Sequence, residues 1–445
     1  MISVYKNMIL SGNIKACLFR IGFVAFVFCC FPGVTGAQPY KDASLPVEQR
    51  VDDLLGRMSL EEKVAQLGMN NFDGYQLGTH GYGACETPFV HVKDIAVRSR
   101  EIKKFAREET RLSIPPIQSG ECLHGVLAYG ATIFPQSISQ GSTWNPGLIR
   151  EMAAMIALEA SAVGIDQALS PVFDLARDPR FGRMEECYSE DPYLAGEIGC
   201  AFVCGMQGDP GQTRYKLEFD KVMCTAKHFA GYSVPVAGLN VAPASIGERE
   251  MRSLHLLPFE KAVKKGNIYA VMPSYNEVDG MPAHANKFLL QKVLRDEWKF
   301  PGYVFSDYSA IGMMYYLHKT AGSFEDAAFK AIISGVDLDA PRPDSYKFLI
   351  SLVRDNKLDV AVIDQACRRI LTAKFKAGLF EKPFPDPAAV QKRVHVPAHI
   401  NMSRKVAEES VILLKNEGNL LPLDVKKIKS LAVIGPNADQ VQYGD

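Results

Sequence analysis

The sequence has no excess of either charge: 50 lysines and arginines stand against 50 aspartates and glutamates in 445 residues. That balance leaves no electrostatic footprint for nucleic acid or for an anionic membrane surface, so neither is expected as a partner. Ten cysteines are present, yet there is no CxxC pair and no His/Cys cluster at zinc spacing, so no metal is expected. No GxGxxG follows an early strand, which argues against a dinucleotide-binding sheet. The nearest run, GTHGYG at residues 78–83, has the wrong spacing and reads as a flexible turn. Internal repeats and low-complexity tracts are also missing. The apolar run at residues 21–31 is too short to span a bilayer comfortably and is interrupted by Gly22.

What that run does fit is an export signal. Lys6, Lys15 and Arg20 precede it and Thr35-Gly36-Ala37 follow, which predicts a signal peptide over 1–37 cleaved after Ala37. The mature protein is then slightly acidic, secreted or periplasmic, and free of the membrane. Three cysteines leave with the signal and seven remain. An odd number in an exported chain means that at least one is free or pairs with another chain.

The rest of the chain alternates. Ser59-Leu60-Glu61-Glu62 is a capping box opening a helix that carries Val64, Leu67 and Met69. Short apolar runs then end in polar residues: IPPIQSGE, IFPQSIS, IDQALSPVFDLARD, VMCTAKHF, IYAVMPSYN, YVFSD and GVDLDAP. Helical periodicity separates them, notably over 146–163, 248–264, 286–298 and 324–334. Strands alternating with helices pair in parallel, and seven or eight such units over 38–380 fit an α/β fold of the (β/α)8 type. Residues 381–402, opening with EKPFPDPAAV, read as a linker. Over 403–445 a helix at 403–414 and a buried strand at 430–438 read as the incomplete start of a second α/β domain.

Barrel active sites lie at the C-terminal strand ends. The ends here present Glu121 with His124; Arg177, Asp178, Arg180 and Arg183; Lys227 and His228; Tyr275 and Asn276; and Asp307. Carboxylates mixed with cations suit a polyhydroxylated ligand, because a sugar hydroxyl both donates and accepts. Two chemistries use such a set: Schiff-base attack by Lys227, or glycoside hydrolysis with a carboxylate nucleophile. His228 and several carboxylates beside Lys227 argue against the depressed pKa that the first requires, so the second is favoured.

These residues fall within motifs that resemble glycoside hydrolase family 3, the retaining exo-β-glycosidases with a barrel followed by an α/β sandwich domain. The likeness runs from about residue 45 to the end: RLSIPPI with ECLHGV, ATIFPQSIS, RDPRFGR with SEDPYL, AKHFAGY, VMPSYNEVDGMPAHAN, GYVFSDYSAIG and ESVILLKNEGNLLPL. The resemblance implies that Asp307 is the nucleophile. It implies sugar-binding roles for Glu121, Arg183, Lys227 and His228, a place near the nucleophile for Tyr275, and a pocket wall at Met272. It implies no cofactor, and an oligosaccharide or aryl glycoside as substrate.

Glu121 stands where many family glucosidases carry Asp. Its extra methylene reaches further into the pocket, where a hydroxymethyl group would sit, and members resembling β-xylosidases typically carry Glu. The sugar stays open between glucose and xylose. Phe181 and Tyr308 stand where Trp, or Trp or Cys, are usual. No acid/base can be assigned: two-domain members use a second-domain Glu, and single-domain relatives a His in the loop after Lys-His. Here that loop, residues 230–250, contains no His. The alternative is a catalytically impaired sugar-binding fragment. Structural roles are expected for His124, Asp178, Arg180, Glu190, Asp191, Asn276, Asp337 and Asp339.

Overall fold

The capping box at Ser59 forms as the sequence predicts. Glu62 donates its N–H to Ser59 Oγ at 3.2 Å, and Ser59 N–H reaches back to Glu62 Oε2 at 2.9 Å. The computed structural model describes residues 38–71, 80–210 and 217–440. The predicted signal peptide and the first two residues of GTHGYG lie outside the described residues. The helix itself is shorter than expected, Leu60–Gln66, and Met69 falls on a strand beyond Gly68.

Strands β1 (Met69–Asn70), β2 (Ala84–Glu86), β3 (Ile117–Gly120), β4 (Gln167–Ala168), β5 (Met223–Phe229) and β6 (Ala270–Pro273) come first. A hairpin of β7 (Glu277–Val278) and β8 (Met281–Pro282) precedes β9 (Tyr303–Val304). The seven strands other than the hairpin run parallel in the order β1-β2-β3-β4-β5-β6-β9. The ring closes through an eighth stave, because Leu338 bridges Phe305 and Asp339 bridges Gly68, both in parallel. The GVDLDAP run therefore supplies the last stave as isolated bridges, and the expected barrel is present.

Every residue of β5 is buried, which is why barrel strands read as continuous apolar runs. Inside the barrel, Gln167 accepts from Tyr303 Oη at 2.6 Å and Ser119 Oγ at 3.1 Å, and donates to Thr225 Oγ1 at 2.8 Å. Polar side chains are tolerated there because they satisfy one another. Gly302 opens the stretch leading to Asp307 where only glycine fits, since a Cβ would lie 2.2 Å from the Tyr269 carbonyl oxygen.

Helices Pro146–Val163 and Phe324–Ser334 match the sequence reading residue for residue. The strand reading needs two corrections and one addition. IFPQSIS is a loop followed by a helix from Ser137; Pro135 has no ladder donor, and Phe134 N–H bonds back to the His124 carbonyl at 2.7 Å. β1 and β2, two and three residues long, escaped the pattern altogether. Residues 430–438 form no strand: among the described residues nothing runs beside them to make a ladder, and Leu431, Val433 and Ile434 are exposed.

The helix expected at 403–414 runs over Pro397–Glu409 instead. It packs on the barrel's outer layer, against the helix Pro146–Val163. Buried Glu159 accepts from Thr132 N–H, Thr132 Oγ1 and His395 N–H, and pairs with His399 Nδ1 at 2.6 Å. At the other end Asn145, which caps Pro146–Val163, donates to Glu409 Oε2 at 2.9 Å. All seven described cysteines are free thiols. Among the described residues no helix is long and apolar enough to cross a membrane.

Candidate active site

Four strand ends meet at one mouth. Glu121 follows β3, Lys227 and His228 lie at the C-terminal end of β5, Tyr275 follows β6, and Asp307 stands three residues beyond β9. Lys227 Nζ donates to both Glu121 oxygens at 2.9 and 3.0 Å. Arg183, from the loop after β4, grips Glu186 through two nitrogens, one at 2.7 Å, and brings its Nη2 within 3.4 Å of His228 Nε2. A cavity of about 180 Å3 is lined by Glu121, His124, Arg183, Glu186 and Lys227. A larger cleft of about 680 Å3, lined in part by Val278, Met281, Phe288 and Ile333, carries no such convergence of strand ends.

His228 is oriented by Asp174, whose Oδ2 accepts the His228 backbone N–H at 3.2 Å and lies 2.7 Å from Nδ1. Arg183 can only donate, so Nε2 is the acceptor and Nδ1 carries the hydrogen. Burial, then the Arg183 and Lys227 charges, push the imidazole well below the ordinary histidine range and keep it neutral. Nε2 in turn lies 3.7 Å from Asp307 Oδ2.

Asp307 does not cap the following helix. Its Oδ1 accepts the adjacent Tyr308 N–H, at 2.7 Å, and the Ser309 side chain makes no cap bond either. Asp307 is 6% exposed, and its Oδ2 is buried without a hydrogen-bond partner of good geometry among the described residues. Burial pushes its pKa up to about 6, while the Tyr275 hydroxyl, Lys227, the Tyr308 N–H and Arg183 favour the charged form. Burial would also raise Glu186, but Arg183 and Lys227 hold it below the usual carboxylate range.

Residues 59–373 match the glycosyl hydrolase family 3 N terminal domain. The chain belongs to glycosyl hydrolase family 3. It is 35% identical over 436 residues to a β-xylosidase of Formosa agariphila, covering 95% of this chain and 55% of that one. Over 401 residues it is 33% identical to a periplasmic β-glucosidase of Salmonella typhimurium, covering 87% and 50%. A solved β-glucosidase from Erythrobacter marinus superposes with a TM-score of 0.83 at 37% identity, over 87% of this chain and 53% of that one. The chain spans about half the length of the family 3 relatives it matches.

Of the family 3 residues expected from the sequence, the structure brings together Glu121, Arg183, Lys227, His228, Tyr275 and Asp307. Met272 is buried in β6 within the barrel's hydrophobic cluster. Phe181 packs edge-on against Tyr232 at 4.9 Å, so the aromatic wall is kept. Asp178 pairs with Arg180, Asp191 caps the helix Pro192–Gln207, and Asn276 braces the Gly231 and Glu277 carbonyls. Asp337 holds Arg295 and Arg369, and Asp339 accepts the N–H groups of Ser345 and Tyr346.

The sequence reading missed Asp174, Glu186, Glu86 and His284. Asp174 sits within the apolar run SPVFDL, where a lone carboxylate asks for a buried partner. Glu186 stands three residues after Arg183, a spacing that brings side chains together on one turn. Glu86 ends β2, and burial raises its pKa against the opposing effects of Tyr308 and Arg342.

Proposed function

We propose that this chain is the nucleophile-bearing barrel of a retaining exo-β-glycosidase acting on terminal β-D-glucosyl or β-D-xylosyl residues. The observation that carries the reading is Asp307 Oδ2: a buried carboxylate oxygen, uncommitted to capping, facing a neutral histidine. Asp307 attacks the anomeric carbon, the leaving oxygen departs, and water later releases the sugar by attack at the same carbon. Lys227, His228 and Arg183 hold the sugar hydroxyls while positive charge develops on the ring. A pKa of about 6 leaves Asp307 mostly ionised at neutral pH, as a nucleophile must be. The β-xylosidase and β-glucosidase relatives support both sugars. Export, with cleavage after Ala37, belongs to the same proposal, and N-terminal sequencing of secreted protein tests it.

A second reading, sugar binding with an impaired first step, is favoured by the state of the neighbouring carboxylates. Glu121 is engaged by Lys227, and Arg183 keeps Glu186 ionised and a poor proton donor. Activated aryl β-glycosides need little protonation of the leaving group, whereas an unactivated disaccharide needs much. Turnover of the aryl substrates, with a covalent glycosyl adduct on Asp307, supports the nucleophile reading. Sugar binding with no turnover of either substrate supports the second.

A further inference from the structure

β9 is stitched to β6 by a regular parallel ladder. Tyr303 N–H donates to the Tyr269 carbonyl at 3.2 Å, and Phe305 N–H to the Val271 carbonyl at 3.0 Å. Two residues on, the Asp307 N–H is due at the Pro273 carbonyl. It goes instead to Nε2 of His284, at 3.1 Å. His284 stands in the turn Ala283–Ala285, directly after the hairpin β7–β8, and is 2% exposed. On the opposite side the chain is held to the last stave: Ser306 N–H bonds the Leu338 carbonyl, and Ala340 N–H bonds Ser306 Oγ, each at 2.9 Å. An imidazole lone pair thus takes the acceptor's place where the two strands part.

We propose that His284 is a positioning residue for the nucleophile, its Nε2 fixing the Asp307 main chain and thereby the aim of the carboxylate. The inference rests on reading Asp307 as the nucleophile. A backbone N–H only donates, so Nε2 is unprotonated and Nδ1 carries the hydrogen toward the Ser274 carbonyl. Burial first, then neighbouring His318, hold the imidazole down to about 3, so it stays a neutral acceptor. His318 is itself engaged by Glu277 Oε1 at 3.0 Å. The nucleophile's backbone and the Tyr275 hydroxyl are therefore set by one segment, residues 275–284.

His284→Leu keeps the bulk and removes the acceptor, while His284→Gln keeps an amide oxygen near the Nε2 position. The readout is the rate of covalent labelling by activated 2-deoxy-2-fluoro β-glucoside and β-xyloside, with the labelled residue found by mass spectrometry. Affinity for the free sugars is measured alongside. A misplacement of about an ångström costs roughly 100-fold in rate, so His284→Leu should label about that much more slowly while sugar affinity holds within about threefold. His284→Gln should recover to within about tenfold of the parent rate.

A Leu variant labelling at the parent rate overturns the proposal, as does a Gln variant no faster than Leu. Equal loss of labelling and sugar affinity overturns it too, because that marks general collapse of the site. A label found away from residue 307 overturns the nucleophile reading itself, a distinct failure. Should the variants not fold, nitrogen-15 spectra of the parent chain decide. An unprotonated, hydrogen-bonded Nε2 is expected, and a protonated Nε2 overturns the inference.

Discussion

The Lys227 ammonium donates to both oxygens of Glu121, at 2.9 and 3.0 Å, so the carboxylate at the end of β3 is clamped rather than free to swing. The clamp makes the length of the residue-121 side chain a fixed dimension of the pocket. Glu121→Asp withdraws the carboxylate by one methylene and loosens the clamp. We expect the ratio of aryl β-glucoside to aryl β-xyloside turnover to move toward the glucoside by about tenfold, which is about 1.4 kcal/mol. Parallel kcat/KM measurements check it, and an unchanged ratio would remove residue 121 from sugar choice.

Asp307 keeps its proton to about pH 6 in the folded chain, against about 3.9 for an unfolded aspartate. The folded state binds the extra proton between those values, so stability falls as pH rises from about 4 to about 6 and stays lower above. Asp307→Asn removes that burden, and under the proposed nucleophile role it should also abolish turnover. Denaturant titration should find the variant more stable by about 2–3 kcal/mol at pH 7 and no different below about pH 3.5.

The Tyr275 hydroxyl favours the charged form of Asp307, second only to burial in setting its pKa. Tyr275→Phe takes that support away. The acid limb of kcat/KM, expected near pH 6 in the parent, should move upward by about half a pH unit or more. A limb that stays in place would separate the profile from Asp307.

Asp174→Asn tests the orientation of His228. An amide can offer its N–H to Nδ1, turning the ring toward the other tautomer and putting a hydrogen on Nε2, the atom that faces Arg183 and Asp307. Aryl glycoside turnover should fall about 10–100-fold, the usual size for losing an orienting partner, with thermal stability close to the parent. Activity equal to the parent would leave Asp174 a packing residue.

Why some of this was legible and some was not follows from what periodicity can encode. VMCTAKHF and YVFSD stand out because a strand buried on both faces is an unbroken apolar run, and the first polar residue after it must lie at the rim. Lys227, His228 and Asp307 were found that way. β1 and β2 are too short to make such a run, and Glu86 was lost with them. Asp174 and His284 each reach a neighbouring stave, bonding residues 54 and 23 positions away, and no spacing rule reaches that far. The run at 430–438 has a strand's composition, but composition does not supply a neighbour to pair with.

The helix Pro397–Glu409 begins beside Glu159 and finishes beside Asn145, the residue that caps its neighbour helix. The chain is thereby pinned to the outer wall at both ends of one helix, first to a buried carboxylate and then to a neighbour's cap. A reporter group attached just past Glu409 will follow the docking of that helix on the wall without any substitution among the pocket residues.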